Sequence, residues 1–155
     1  MRGTIAADAP VREAGLFGVH GGHVNVTDGR YVYMRAPAGG AAISELSEYT
    51  LMPAHMRRVF DVSELQDIEL QQPFSFTKGC RTMRIRCKNT DLARRMREEY
   101  GHLLFDLAND PEQQRPIRDP QIEQRMIARL TRLMRENDAP KELFNYLGLA
   151  EASSG

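Results

Sequence analysis

The 155-residue chain has no tryptophan, only 2 cysteines, no net charge and no long apolar run. Each shortage narrows what the protein can be. Two cysteines make no disulfide framework, so reduced thiols are the expectation; an odd separation of seven puts Cys80 and Cys87 on opposite faces if one strand joins them. With 21 Lys plus Arg against 21 Asp plus Glu, no long-range field draws the chain to nucleic acid or an anionic membrane. No stretch approaches the roughly 18 apolar residues of a membrane span, and the opening MRGTIAADAPVREAGLFG lacks an apolar run of signal-peptide length. A cytoplasmic chain without a membrane partner is therefore expected. G-x-S-x-G, Walker-type and G-x-G-x-x-G motifs are all missing, so nucleophile-elbow, nucleoside-triphosphate and dinucleotide chemistry have no starting point.

What is present describes one α+β domain of ordinary composition, 41% hydrophobic and 27% charged. Its length suffices to bury roughly 70% of the surface of the unfolded chain. Charge is uneven locally: residues 81–97 are rich in arginine, while 61–69 carry Asp61, Glu64, Asp67 and Glu69, a pattern read as two solvated faces. The basic run has a single aromatic, Tyr100, just beyond its end. A stacking platform interleaves several, so nucleic acid is not an expected partner.

HVNVTDGRYVYMR, residues 23–35, predicts a hairpin turning at Asp28-Gly29 in a type I′ turn, which pairs Val26 with Tyr31 and Val24 with Tyr33 on one face. LFGVHGG before it reads as a short strand ending in a glycine pair. YTLM at 49–52 reads as a strand stopped by Pro53, and Ser63 with Gln66 as a capping box opening a helix over 64–71. CRTMRIRC at 80–87 alternates as a strand with one cationic face, DLARRMREEY at 91–100 spaces Leu92, Met96 and Tyr100 as a helix, and HLLFDL at 102–107 is a further apolar run. Asp119-Pro120 starts a helix over 120–137 with Ile122, Met126, Leu130, Leu133 and Met134 on one face; a short helix follows at 141–147. Residues 1–12 are expected to be a flexible segment, 13–149 the domain and 150–155 a disordered tail.

Three constellations could carry chemistry. Cys80 and Arg86 satisfy the C-x5-R spacing of a cysteine phosphatase, but the residues between them read as strand rather than as a glycine-rich anion loop. Cys80 and Arg84 approximate the C-x-P-x-R signature in which a cysteine becomes formylglycine; Thr82 stands where the proline belongs. His20 and His23 flank a glycine pair, with Asp28 nearby, too few ligands for a structural zinc site, so no metal ligand is assigned. The strand-like setting of Cys80 favours a plain thiol.

LFGVHGGHVNVTDGRYVYMR and HLLFDLANDPEQQRPI together carry a resemblance to the C-terminal region of bacterial sulfatases of the alkaline-phosphatase-like superfamily. Sulfatases commonly close on Leu-Tyr-Asp-Leu, Asp-Pro, Glu and Asn-Leu; here stand Leu104-Phe105-Asp106-Leu107, Asp110-Pro111 and Glu112, with Arg115-Pro116-Ile117 departing from the ending. Asp28, Gly29, Arg30, Tyr31 and Tyr33 resemble the family's Asp-Gly-Arg-Tyr-Lys-Tyr strand pair, Val32 replacing lysine. The likeness spans about residues 10–149, taking in YTLMPAHMRRVF and PFSFTKGC.

The resemblance implies an antiparallel sheet of about four strands with a long C-terminal helix packed on it, the smaller sulfatase subdomain. It also implies that the formylglycine nucleophile and the divalent metal, such as calcium, belong to a catalytic subdomain, so that no cofactor and no catalytic residue resides in this chain. Sulfate-ester hydrolysis would be the parent activity and would not occur in this chain alone. Substrate contacts would come from His20, His23 and Arg30. Partners would be a sulfatase catalytic domain or a second copy, met through an exposed apolar face. The alternative is a non-catalytic binding module engaging a protein or a sulfated ligand.

Overall fold

The computed structural model describes residues 12–39, 46–55, 58–87 and 91–149. Residues 1–11 and 150–155, on which the expectations for a flexible start and tail chiefly fall, lie outside them.

Two antiparallel sheets form. The first runs β1 (Gly15–Gly18), β2 (Val24–Thr27), β3 (Tyr31–Arg35) and, beside β3, the distant β7 (Leu103–Asp106). The second, which the sequence reading did not foresee, orders β4 (Ser47–Thr50), β6 (Thr82–Arg86) and β5 (Glu69–Gln71). Helix α1 (Val62–Leu65) precedes β5, α2 (Asp91–Arg95) runs into a π-turn at Met96–Tyr100, and α3 (Pro120–Glu136) and α4 (Lys141–Tyr146) close the chain. None of these helices is long and apolar enough to cross a membrane.

α3 lies on the four-stranded sheet, as the apolar spacing requires. Its buried residues are Met126, Leu130 and Met134, with Ile122 and Leu133 partly buried beside them. They meet Val26, Tyr31, Tyr33 and Leu104, which alternation places on one face of the sheet, joined by Phe144, Tyr146 and Leu147 from α4 and its end. The Asp119 carboxylate caps α3 by accepting the Gln121 and Ile122 N–H groups, each at 3.0 Å. The opposite face of the sheet is covered at its centre, where Val32 is 4% and Phe105 5% exposed, while Phe17 on the edge strand is 47% exposed.

Three local expectations shift. The hairpin register moves by two, pairing Val26 with Tyr33 and Val24 with Arg35. The reason is the Asp28 side chain, whose Oδ1 accepts the N–H groups of Tyr31 at 2.7 Å and Arg30 at 3.1 Å. Asp28 thereby becomes the first corner of the turn, and Gly29 (φ 87°) takes the single positive-φ central position that a type II′ turn reserves for glycine. A shift of two preserves the side-chain faces, so the core prediction survives it. The predicted helix over 64–71 shrinks to Val62–Leu65, with Glu64 reaching back to the Asp61 N–H at 2.8 Å, because Glu69–Gln71 find ladder partners in β6. Over 91–100 the wider π-turn rotates the face: Ala93 is buried, while Leu92 and Tyr100 are exposed.

Most of the acidic 61–69 and basic 81–97 charges are exposed, as expected, and an ion pair joins the two segments. Glu69 and Arg84 are cross-strand partners bridged at 3.1 Å, Arg94 pairs with Asp91 at 3.2 Å, and Arg95 with Glu99 at 3.5 Å.

Acid should weaken the fold in two stages. His102 Nδ1 accepts the Ala36 N–H at 3.1 Å, and desolvation followed by the charge of Arg35 hold its pKa below the ordinary 6.5. A histidine kept neutral in the fold contributes stability above pH 6.5 that is lost as pH falls toward its folded pKa. Asp106, Asp110 and Asp138 lie below their ordinary 3.8, held respectively by Arg30, the backbone of Arg115 and Ser75, so their contribution disappears as pH drops under 3.8. The urea midpoint is expected to decline first below about pH 6.5 and again, more steeply, below about 3.8. An unchanged midpoint between about pH 7 and pH 5 would contradict the first stage.

Candidate functional site

Asp28, Arg30, Asp106 and Asp110 build the tip of the β2–β3 hairpin and the loop that follows β7. Arg30 donates from Nε at 3.4 Å and from Nη2 at 3.2 Å to the two carboxylate oxygens of Asp106. Asp106 also accepts the Ala108 N–H at 3.1 Å and the Asn109 side-chain amide at 2.9 Å, so Arg30 holds its carboxyl below the usual range. Asp110 accepts the N–H groups of Arg115 at 2.8 Å and Gln114 at 3.1 Å, shaping the following loop. Asp28, beyond its turn, forms an ion pair with Arg129 of α3 and stands 3.9 Å from Arg125. Burial alone would raise the Asp28 pKa; the Tyr31 and Arg30 N–H groups and Arg129 outweigh it and leave it lowered. Arg30, expected at a substrate, thus ties the hairpin tip to the strand end.

The three expected contact residues do not gather. His23 is buried, its Nε2 2.8 Å from the Gly101 carbonyl, where it fastens the glycine turn to the end of the π-turn. His20 precedes β2 and Arg30 follows it, so the four-residue strand alone separates them by roughly 13 Å.

A different group assembles around His20. From the glycine turn its Nε2 lies 3.0 Å from Cys87 Sγ, at the end of β6, and 3.9 Å from Glu48 Oε1 on β4. The turn is fixed by the Gly22 N–H to the Val19 carbonyl at 2.9 Å and by the Tyr146 hydroxyl donating to the Gly21 carbonyl at 2.8 Å. Cys87 is fixed by its own N–H to the Leu46 carbonyl at 2.8 Å. Behind Glu48 runs a charge relay of position: His55 Nδ1 is 3.2 Å from Glu48 Oε2, His55 Nε2 is 2.7 Å from Glu64, and Arg58 bridges Glu64 at 3.1 Å. The Asp61 N–H, then His55 and Arg58, bring the Glu64 pKa down to about 2. His20, Glu48, His55, Arg58, Glu64 and Cys87 line one cleft of about 530 Å³ between the two sheets.

Burial, then the Glu48 charge, push the Cys87 thiol up to about 12, while desolvation, only partly opposed by Glu48, lowers His20. The pair is therefore a neutral thiol beside a neutral imidazole. An activated cysteine needs the reverse, a thiolate stabilised by imidazolium, and both shifts run against it. Among the described residues, His20, Glu48 and Cys87 are the one group of His, Cys, Asp or Glu whose ligand atoms all lie within 4.8 Å of one another.

The donor set of this group differs from the one a sulfatase metal takes. Calcium asks for six to eight oxygens, and the group offers a single carboxylate. Cys80 is exposed ahead of β6, Arg84 is engaged with Ser47 at 3.1 Å and Glu69 at 3.1 Å, and the residues leading to Arg86 are the extended strand β6 rather than an anion-binding loop. The sequence reading singled out His20 but paired it with His23 and Asp28; its partners come from positions 48 and 87, a union only the fold discloses. Comparison with family models, with curated proteins and with solved structures finds no significant match.

Proposed function

We propose that this chain is a sulfatase-type C-terminal subdomain, a scaffold that supports sulfate-ester hydrolysis carried out by a catalytic part with which it docks, and that it turns over no sulfate ester alone. What supports the reading is the use to which the resemblance-bearing residues are put. Asp28, Arg30, Asp106 and Asp110 build the hairpin tip and its loop by hydrogen bonds within the chain, which is scaffold work, on a four-stranded antiparallel sheet backed by the long helix α3. Docking would use exposed apolar side chains outside the core: Phe17 and Val19 at the edge of the first sheet, and Leu51, Met52, Val59 and Val62 between β4 and α1.

The test is aryl-sulfate hydrolysis by the purified chain, alone and co-expressed with a sulfatase catalytic half. No turnover is expected alone. Co-purification with the catalytic half, and activity only in its company, would follow from docking. Turnover by the isolated chain would overturn the scaffold reading, and a catalytic half that neither binds nor gains activity would overturn the docking.

A further inference from the structure

We propose that His20, Glu48 and Cys87 form a binding site for a divalent transition-metal ion of the zinc type, with one coordination position open to the cleft. Around a tetrahedral zinc with bonds of roughly 2.0 to 2.3 Å, neighbouring ligand atoms stand about 3.3 to 3.8 Å apart. Here the imidazole nitrogen is 3.0 Å from the sulfur and 3.9 Å from the carboxylate oxygen, on either side of that spacing. Both distances lie within a few tenths of an ångström of that range, and all three ligand atoms fall within 4.8 Å of one another.

The donor set selects the ion. Thiolate, imidazole and carboxylate together suit zinc or cobalt and disfavour calcium and magnesium, which take oxygen. Three protein ligands leave the fourth position free, the arrangement of zinc sites that act on a bound molecule rather than staple a fold. The cleft of about 530 Å³ in front of the group supplies the room. His55 supplies the support expected behind a ligand carboxylate: it holds the Glu48 oxygen that does not face His20, and is itself held by Glu64. When the ion binds, Cys87 gives up its proton to solvent and its sulfur lone pair to the metal, an exchange that needs no oxidant. The site takes no ligand from the apolar side chains proposed for docking, and ion binding is read on the chain alone, so its failure and that of the docking are distinguishable.

Cobalt titration of the full chain reads the site directly. One equivalent is expected to bind, giving a thiolate-to-cobalt charge-transfer band in the near ultraviolet and the intense visible bands of four-coordinate cobalt, with zinc displacing it and calcium not. Cys87→Ser should abolish the charge-transfer band, Cys80→Ser should leave it intact, and His55→Gln should weaken binding by about 10- to 100-fold. Zinc should also slow alkylation of Cys87 in the unaltered protein while leaving exposed Cys80 reactive, a readout that does not depend on a variant folding. Absence of the band, its survival in Cys87→Ser, or equal alkylation of Cys87 with and without zinc would each overturn the site.

Discussion

Replacing Leu130 by alanine is expected to destabilise the protein by about 4 kcal/mol. Leu130 is fully buried at the middle of α3, between Met126 and Met134 and against the face of the sheet formed by Val26 and Tyr33. Truncation removes transfer free energy and leaves a cavity, because a two-sided contact of helix on sheet cannot collapse around one missing side chain. Against a total of roughly 5 to 15 kcal/mol the loss is a large share, and with a urea dependence of about 2 kcal/mol per molar it lowers the midpoint by about 2 M. Gln124→Ala, exposed on the same helix, should stay within about 0.5 kcal/mol. If Leu130→Ala cost no more than that control, α3 would not be seated on the sheet.

The second large effect falls on Asp28. Asp28→Ala should cost about 3 kcal/mol, since it strands the Tyr31 and Arg30 N–H groups at the turn and leaves Arg129, 22% exposed in its side chain, without its main partner. Asp28→Asn keeps an oxygen to accept the two turn N–H groups and loses only the charge, so about 1 kcal/mol is expected. The difference between the two substitutions, measured by urea unfolding, separates turn from ion pair. Equal costs would mean that the turn hydrogen bonds add nothing and the register is set elsewhere.

How far the sequence carried the structure depended on the range of the forces involved. α3 was legible because its signals are local: a capping Asp119, a proline after it, and apolar residues recurring at helical spacing. The hairpin's faces were legible from alternation, but not its register, because Asp28 could serve as a central turn residue or as the acceptor that opens the turn, and dipeptide preference alone does not choose. Residues 69–71 were read as helix because short apolar runs fit either period; the deciding interaction, Glu69 opposite Arg84, spans a gap in sequence. The same holds for the site. His20 stood out as a polar residue beside a glycine pair, whereas Glu48 lies on β4 and Cys87 just past β6, strands whose approach to it is a property of how two sheets meet. His23, the nearer histidine, went to a backbone carbonyl instead.

The bond from the Tyr146 hydroxyl to the Gly21 carbonyl joins groups 125 positions apart in the chain. At a synthesis rate of about 5 to 20 residues per second, on the order of 10 s passes between the emergence of the turn and that of the tyrosine that steadies it. For that interval the imidazole of a growing polypeptide has no settled address, and an ion meets its three donors together only after the tyrosine has emerged.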